Sequence, residues 1–302
     1  MPFPRRSALV ALLLCAAAAA HAQPAPSMPI DPARARAELG QLGLVEQIVL
    51  PRPDGPRDVR LYLSHPPGPA PAQGWPVLYL LDGNATVAAL ARERPELARQ
   101  VVLAGIGYDV PGRLDVDARA WDYTPAPPDA ARQGSADPLR AQRRNGGADA
   151  WLDFIETRIK PLVQSRVPVD AARQTLYGHS YGGLFVLHAL QARPEAFQRY
   201  VAASPSLWWH APYVTERMQA LDTARCCADR PVRLTLMAGG AERGRPGSPQ
   251  QRAMPSGGAR ALAQALAGRL GLVVNYVEMA GLGHGAMLPA SAVEAARLAG
   301  RP

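Results

Sequence analysis

The sequence predicts an α/β fold in which a mostly parallel sheet is covered by helices on both faces. Short apolar runs rich in β-branched residues recur along the chain, and helical patterns separate the later runs. Strands that alternate with helices are typical of a parallel sheet, because each parallel pair needs a crossover connection. The chain has 302 residues, a length at which a single α/β domain is common.

Eight apolar runs are predicted to be the strands of this sheet. They are residues 44–50, 59–63, 77–81, 101–106, 175–177, 200–203, 232–237 and 272–277. A cluster of turn-forming residues at 51–56 separates the first two runs, so we expect an antiparallel hairpin at the sheet edge. Helices are predicted at residues 151–163, 184–191, 213–221, 259–269 and 292–298.

Residues 1–22 have the layout of a secretory signal peptide. Arg5 and Arg6 precede an apolar run, and Ala22 is the small residue at the expected cleavage site. Because the run is shorter than the about 20 residues that cross a bilayer, we expect a periplasmic or secreted protein without a membrane span. Cys15 lies within the run, but Leu14 precedes it where a lipidation signal has a small residue, which disfavours lipidation.

Residues 23–40 are expected to form a flexible leader, and residues 41–302 a single domain. Within that domain, residues 108–147 contain five prolines and no clear periodicity, which predicts a lid-like insertion after the fourth strand. The formal net charge of +8 falls to +6 without the first 22 residues. No basic run or basic helix with interleaved aromatic residues is present, so nucleic acid is not an expected partner.

Cys226 and Cys227 are the cysteines that remain after cleavage. Their Cα atoms lie about 3.8 Å apart across one peptide bond, which is closer than normal disulfide spacing. A strained bridge between neighbours and two thiols are both open. The pair has no histidine or further cysteine nearby, so we predict no metal site.

The segment Gly-His-Ser-Tyr-Gly places Ser180 between a predicted strand and a predicted helix. Gly178 and Gly182 flank the serine at two-residue spacing, where a side chain would collide as the strand and the helix cross at a sharp turn. A serine raised on such a turn becomes a nucleophile when a base and oxyanion donors lie beside it. The segment therefore predicts a serine hydrolase.

His284 is the predicted general base, because it lies in a glycine-rich loop just after the last strand. Glu242 follows the preceding strand and is the candidate acid that orients the histidine. Because arginines neighbour Glu242, a place in a surface salt-bridge cluster is an equal alternative to the role of orienting acid. In that case serine and histidine would work as a dyad. The side chain of His179 is expected to point away from Ser180, and His188 is interpreted as a packing residue. His65 and His210 are interpreted as surface loop residues, although His210 could border the cleft.

Two backbone segments are predicted to bind the oxyanion. The N–H of Tyr181 follows the nucleophile and opens a helix, where N–H groups lack intrahelical partners. The second donor is expected in the loop after the third strand, from the N–H of Gly83 or Asn84. Such donors stabilise the charge that develops on the substrate oxygen.

Five segments in this order resemble the esterase family of α/β-hydrolases that includes esterase D, and most closely its periplasmic siderophore esterases, which cleave catecholate trilactones. The segments are residues 80–84, 119–125, 178–183, 204–209 and 283–285, and the likeness covers most of the chain after residue 22. The resemblance implies an eight-stranded α/β-hydrolase fold, with Ser180 as nucleophile and His284 as base. Some members of this group work with a dyad.

The resemblance also suggests substrate-binding residues. Arg119 is a candidate contact to an anionic substrate, or it pairs with Asp122 or Asp117 to hold the insertion together. Trp208 and Trp209 could form an aromatic wall for catechol rings or belong to the core. We favour one tryptophan in each role. The insertion contains six arginines and six aspartates, so its net charge does not argue for a trianionic ligand.

The expected function is hydrolysis of a small-molecule carboxylic ester through an acyl-enzyme, with a ferric catecholate siderophore as the leading substrate and no metal or organic cofactor. The same serine-bearing turn between a strand and a helix also occurs in general carboxylesterases, feruloyl esterases and acyltransferases. In a different class, a protein of this fold could bind its ligand without turnover.

Overall fold

The structure is a computed structural model that describes residues 39–43, 45–127, 134–138, 140–242 and 258–301. The predicted signal peptide and nearly all of the predicted leader lie outside these residues. Leu39 is buried against the domain, so the packed part of the chain already includes the end of the leader.

The strands of the fold are, in chain order, β1 (Val45–Leu50), β2 (Val59–Ser64), β3 (Trp75–Leu81), β4 (Val102–Tyr108), β5 (Ser135–Ala136), β6 (Arg144–Asn145), β7 (Val169–His179), β8 (Arg199–Ala203), β9 (Val232–Gly239) and β10 (Leu272–Met279). An eight-stranded sheet forms the centre, with the order β1-β2-β4-β3-β7-β8-β9-β10, while β5 and β6 form a separate antiparallel pair. In the large sheet β1 pairs antiparallel with β2 and β2 with β4, whereas the remaining pairs are parallel. This confirms the predicted mostly parallel sheet and the antiparallel hairpin at its edge.

Helices cover both faces of the sheet. They are α1 (Gly83–Glu93), α2 (Val116–Asp122), α3 (Ala148–Phe154), α4 (Lys160–Arg166), α5 (Tyr181–Ala192), α6 (Tyr213–Gln219), α7 (Thr223–Cys227), α8 (Gly258–Leu266) and α9 (His284–Gly300). A π-helical turn, Ile155–Ile159, joins α3 to α4, and short 3₁₀ turns lie at Pro95–Arg99 and Pro194–Ala196.

The buried residues form one cluster on each side of the sheet. In β3, Val77, Tyr79 and Leu81 belong to one cluster, whereas Leu78 and Leu80 belong to the other. This alternation follows from the two-residue period of a strand. The first cluster includes residues of α3, α4, α5 and α8, and the second includes residues of α1 and α9. A strand buried on both faces is typical of a parallel sheet between two helical layers.

Three helices were missed by the prediction, namely α1, α2 and the five-residue α7, and α9 begins well before its predicted start. α1 begins at Gly83 directly after β3, without a side-chain cap, in a segment interpreted as a loop. α2 lies in the insertion and has only seven residues, too few to show a helical period; Asp115 caps it by accepting N–H bonds from its first turn. α9 begins at His284. Its first turns were not predicted because the neighbouring glycines and Pro289 are uncommon inside a helix.

Candidate active site

Ser180 occupies a strained turn between β7 and α5. Its φ and ψ angles are 60° and −116°, a conformation that costs a non-glycine residue on the order of 1–3 kcal/mol. Two backbone hydrogen bonds enforce it: Ser180 N–H donates to Ala203 O at 3.0 Å, and Leu184 N–H donates to Ser180 O at 2.9 Å. A side chain at Gly178 would overlap the backbone of Gly182, which explains the glycine spacing.

The side chains of Ser180, His284 and Glu242 lie together at the carboxyl edge of the sheet. Nε2 of His284 is 3.1 Å from Oγ of Ser180, and Nδ1 is 3.6 Å from Oε2 of Glu242. The strands that precede them, β7, β9 and β10, run parallel, so their carboxyl ends meet at one edge. The imidazole is 53% exposed and the Glu242 side chain 16%, so the site is open to solvent on the histidine side.

Glu242 is held by two partners. Its second oxygen accepts a hydrogen bond from Oγ of Ser204, a residue with a positive φ of 43°. Burial raises the pKa of Glu242, but the contact with His284 and the hydrogen bond from Ser204 outweigh this effect and leave the pKa below its ordinary value. Glu242 is therefore a carboxylate at neutral pH and can stabilise an imidazolium.

His179 packs against His284. The ring centroids are 4.6 Å apart, and His179 is only 6% exposed. Burial, followed by the electrostatic effects of His284 and Arg119, holds the pKa of His179 well below its ordinary value. His179 is therefore a neutral ring that supports His284 from behind.

The predicted oxyanion donors lie at two adjacent helix N-termini. Tyr181 is the first residue of α5, and Gly83 and Asn84 are the first two of α1. A Cβ at Gly182 would lie 3.6 Å from Oδ2 of Asp82, which shows that the two turns are neighbours. A Cβ at Gly83 would lie 2.5 Å from the backbone of β4, so only glycine lets α1 begin here.

The side chain of Asn84 has a structural role. Its Oδ1 accepts a hydrogen bond from Tyr108 N–H at 3.0 Å, and its Nδ2 donates to Tyr108 O at 3.1 Å. Nδ2 also lies within hydrogen-bonding distance of the carbonyls of Val110 and Gly112. Asn84 thus ties the start of the insertion to the turn after β3.

Arg119 pairs with neither Asp122 nor Asp117, the partners expected for a structural role. Its Nε and Nη2 donate to the two carboxylate oxygens of Asp82 at 2.9 and 2.8 Å, and Nη2 also donates to His179 O at 3.2 Å. Asp122 pairs instead with Arg52 at 2.6 Å, and Asp117 with Arg143 at 2.8 Å. The sequence did not indicate Asp82 because it lies 37 positions away from Arg119.

The two tryptophans lie in different environments. Trp209 is completely buried, and its Nε1 donates to Oδ1 of Asn145 at 3.0 Å. Trp209 is therefore a core residue and does not reach a ligand. Trp208 is half-buried with its ring centroid 5.7 Å from that of Tyr181, so it remains the candidate for an aromatic wall.

Ser204 and Ser206 were not singled out from the sequence. Oγ of Ser206 lies 3.3 Å from Oγ of Ser180, and Ser206 N–H donates to Ser180 O at 3.2 Å. Both serines follow β8, which lies beside β7 in the sheet, and that position was the available signal. Three other histidines contact different groups: His188 binds Asp149, His65 binds Pro66 O, and His210 packs on Trp209.

In the described ranges, no three His, Cys, Asp or Glu side chains are grouped so as to hold a metal ion. Nor does any helix there have the length and apolar composition to cross a membrane. Cys227 is disulfide-bonded and is therefore not a free thiol.

Comparison with known proteins identifies the family. The family model described as "Putative esterase" matches residues 52–245, more than half of the chain. The chain belongs to this esterase family. The ferri-bacillibactin esterase BesA of Bacillus subtilis (strain 168) is 32% identical over 256 residues, which are 82% of this chain and 86% of the relative.

Two further relatives agree with this assignment. The apo-salmochelin esterase of Escherichia coli O6:H1 is 36% identical over 197 residues, 63% of this chain and 59% of the relative. The solved structure of the enterobactin hydrolase IroE in complex with DFP superposes with a TM-score of 0.67 at 29% identity, covering 85% of this chain and 95% of that chain. This esterase has the α/β-hydrolase fold and is a serine ester hydrolase.

Proposed function

We propose that Ser180 is the nucleophile of this esterase, with His284 as its general base and Glu242 as the residue that orients the imidazole. The observation that carries the proposal is the 3.1 Å separation of Ser180 Oγ and His284 Nε2 at a strained turn. A base within about 2.6–3.2 Å of a hydroxyl can take its proton as the oxygen attacks.

The reaction follows from these positions. His284 Nε2 takes the Ser180 proton while Oγ bonds to the ester carbonyl carbon. The N–H of Tyr181 and that of Gly83 or Asn84 stabilise the resulting oxyanion. The intermediate collapses and expels an alkoxide, which takes the proton from His284. Water then attacks the carbonyl carbon of the acyl-enzyme in the same way, with His284 as base. The carboxylic acid is released and Ser180 is restored.

The proposed substrates are ester bonds of catecholate trilactone siderophores. The names of the relatives give ferri-bacillibactin, salmochelin and enterobactin as their substrates, and these names include both iron-loaded and iron-free forms. The half-buried ring of Trp208 beside Tyr181 offers an aromatic surface near the nucleophile. Such a surface suits a catechol ring.

A hydrolysis panel tests the proposal. The substrates are an aryl acetate, a feruloyl ester, and a catecholate trilactone with and without iron, and the variants are Ser180→Ala and the remote control Ser165→Ala. We expect the trilactone to have the highest kcat/KM, with turnover lost only in Ser180→Ala. Faster cleavage of feruloyl or aryl esters would make the protein a general esterase. Transfer to an added alcohol would make it an acyltransferase, and binding without cleavage a ligand-binding protein.

We also propose that the protein is exported, with cleavage after Ala22. The support is the sequence pattern of residues 1–22. Expression of the full chain in a Gram-negative host, followed by N-terminal sequencing of the periplasmic fraction, is expected to give a chain that begins at Gln23. A protein that stays in the cytoplasm and retains the first 22 residues contradicts export.

A further inference from the structure

The turn after β8 contacts the nucleophile as well as the acid. The hydroxyl of Ser204 donates to Glu242. Two positions later, Oγ of Ser206 lies 3.3 Å from Oγ of Ser180. Main-chain bonds fix the turn, since Ser204 N–H donates to Met237 O at 2.7 Å and Ser206 N–H donates to Ser180 O at 3.2 Å. Ser206 is only 1% exposed, so its hydroxyl is shielded from bulk water.

The donor of the contact between the two serines follows from the hydrogens available. Nδ1 of His284 faces the carboxylate of Glu242, which only accepts hydrogen bonds, so Nδ1 carries the imidazole proton and Nε2 is an acceptor. The single hydrogen of the Ser180 hydroxyl therefore points to Nε2. Two lone pairs remain on this oxygen: one attacks the substrate, and the Ser206 hydroxyl donates to the other.

This contact is stronger when Ser180 Oγ is charged than when it is neutral. A separation of 3.3 Å is long for two neutral hydroxyls, for which about 2.7–2.8 Å is usual. Hydrogen bonds to an ionised oxygen are shorter and roughly twice as strong. An interaction that is stronger in the transition state than in the ground state raises kcat.

We propose that Ser206 is a further catalytic residue, whose hydroxyl donates to Oγ of Ser180 whenever negative charge develops on that oxygen. The inference rests on the proposed function of Ser180. During acylation, Oγ passes its proton to His284 as it bonds to the carbonyl carbon. During deacylation, the bond from Oγ to the acyl carbon breaks, the electron pair goes to Oγ, and His284 returns a proton to it. Ser206 keeps its own hydrogen in both steps.

Ser206→Ala isolates the hydroxyl, because alanine keeps the main-chain bond to Ser180 O and has nearly the same volume. Stopped-flow hydrolysis of p-nitrophenyl acetate measures acylation as the burst of nitrophenolate and deacylation as the steady rate that follows. Because a hydrogen bond to a charged group typically changes a rate by about 10-fold, we expect both rate constants to fall about 10-fold. KM is expected to change less than about twofold, since a factor common to both steps cancels from it.

Labelling by a fluorophosphonate gives a second measurement, because it requires attack by Oγ of Ser180 but no deacylation. The rate of labelling of Ser180 in Ser206→Ala is expected to fall by a similar factor of about 10. A side chain that only supports the packing of the turn would instead lower the unfolding temperature and leave these rates unchanged.

Ser64→Ala is the matched control. Ser64 is also 1% exposed and its hydroxyl donates to Leu42 O at 3.1 Å, but it lies on β2, away from the nucleophile. The rate constants of this variant are expected to equal those of wild type. Circular dichroism and thermal unfolding verify the fold of each variant. Ser206→Cys, whose thiol is a weaker donor, carries the test with a smaller expected loss if Ser206→Ala does not fold.

Unchanged acylation and deacylation in the folded Ser206 variant would overturn the proposal. An equal loss in Ser64→Ala would do the same, because the effect would then follow from removing any buried hydroxyl. A fluorophosphonate adduct on Ser206 of the wild-type protein would make this residue a nucleophile and not a donor. Failure of the proposed function has a different signature, because Ser180→Ala would then retain wild-type turnover.

Discussion

Ser180 Oγ and His284 Nε2 lie 3.1 Å apart, although 104 positions separate the two residues in sequence. Each residue lies at the end of a secondary-structure element, since β7 ends at the serine turn and α9 begins at the histidine. His179 packs behind the imidazole and Glu242 lies beside its other nitrogen. The histidine is thus held on three sides while its outer face stays open to solvent.

Replacing His284 by alanine is expected to lower kcat by about 10⁴-fold or more, because the serine then has no base. Steady-state hydrolysis of an aryl acetate measures the loss. His210→Ala is the control, since the ring of His210 packs on Trp209. A nearly active His284→Ala together with an inactive His210→Ala would place the base at His210.

Glu242→Gln is expected to reduce kcat by about 10²-fold, less than the about 10⁴-fold that follows loss of a closely bonded triad carboxylate. The 3.6 Å contact with His284 is longer than a normal hydrogen bond, which is the reason for the smaller effect. The acid limb of kcat/KM is expected to move to lower pH, since the variant lacks the negative charge that favours imidazolium. Unchanged kcat and an unchanged pH profile would establish a serine–histidine dyad.

Glu242 also makes the stability of the protein depend on pH. Its pKa is lower in the folded protein than the ordinary value, so the carboxylate stabilises the folded state above that ordinary value, and this contribution is lost as the pH falls through the folded value. Urea unfolding is expected to show Glu242→Gln less stable than wild type at pH 7, with a smaller difference near pH 3.5. A difference independent of pH contradicts this account.

The buried pair of Arg52 and Asp122 is expected to support the insertion. Asp122 is 0% exposed and Arg52 7%, and Asp122 also accepts the hydroxyl of Tyr108 at 2.9 Å. Arg52→Met leaves a buried carboxylate without its cation, which typically costs about 3–5 kcal/mol of unfolding free energy.

Arg166→Met is the surface control for this prediction. Arg166 pairs with Glu46 at 2.7 Å, but both side chains are well exposed, and such pairs contribute about 0–1 kcal/mol. Urea denaturation of the two variants compares the losses directly. Equal losses would show that burial of the Asp122 carboxylate is not the cause.

The sequence predicted the parts of the site that depend on local rules. Glycine spacing around Ser180 and the position of His284 after the last strand were sufficient to predict that the two side chains meet. The predicted structural partner of Arg119 was wrong because the choice among nearby aspartates ignored Asp82, which reaches Arg119 only when α2 of the insertion lies beside the turn after β3. Ser206 was missed for the same reason, because its approach to Ser180 depends on the pairing of β7 with β8.

The prediction of secondary structure also succeeded where local sequence rules apply and failed where they do not. The eight strands were predictable because each is a short apolar run between turn residues, whereas α1 has no cap and α2 has one but only seven residues. The distance between Glu242 and His284 depends on the register of β9 and β10 and on the Ser204 hydrogen bond, neither of which a single sequence displays.

The most direct test of the central claim is the site of covalent labelling by a fluorophosphonate, in which the attacking oxygen displaces fluoride. Intact mass and peptide mapping of the labelled esterase are expected to show one adduct, on Ser180, that is absent from Ser180→Ala and present in Ser206→Ala. An adduct on Ser206, whose Oγ is only 3.3 Å away, or an esterase that hydrolyses esters without any labelling of Ser180, would contradict the account.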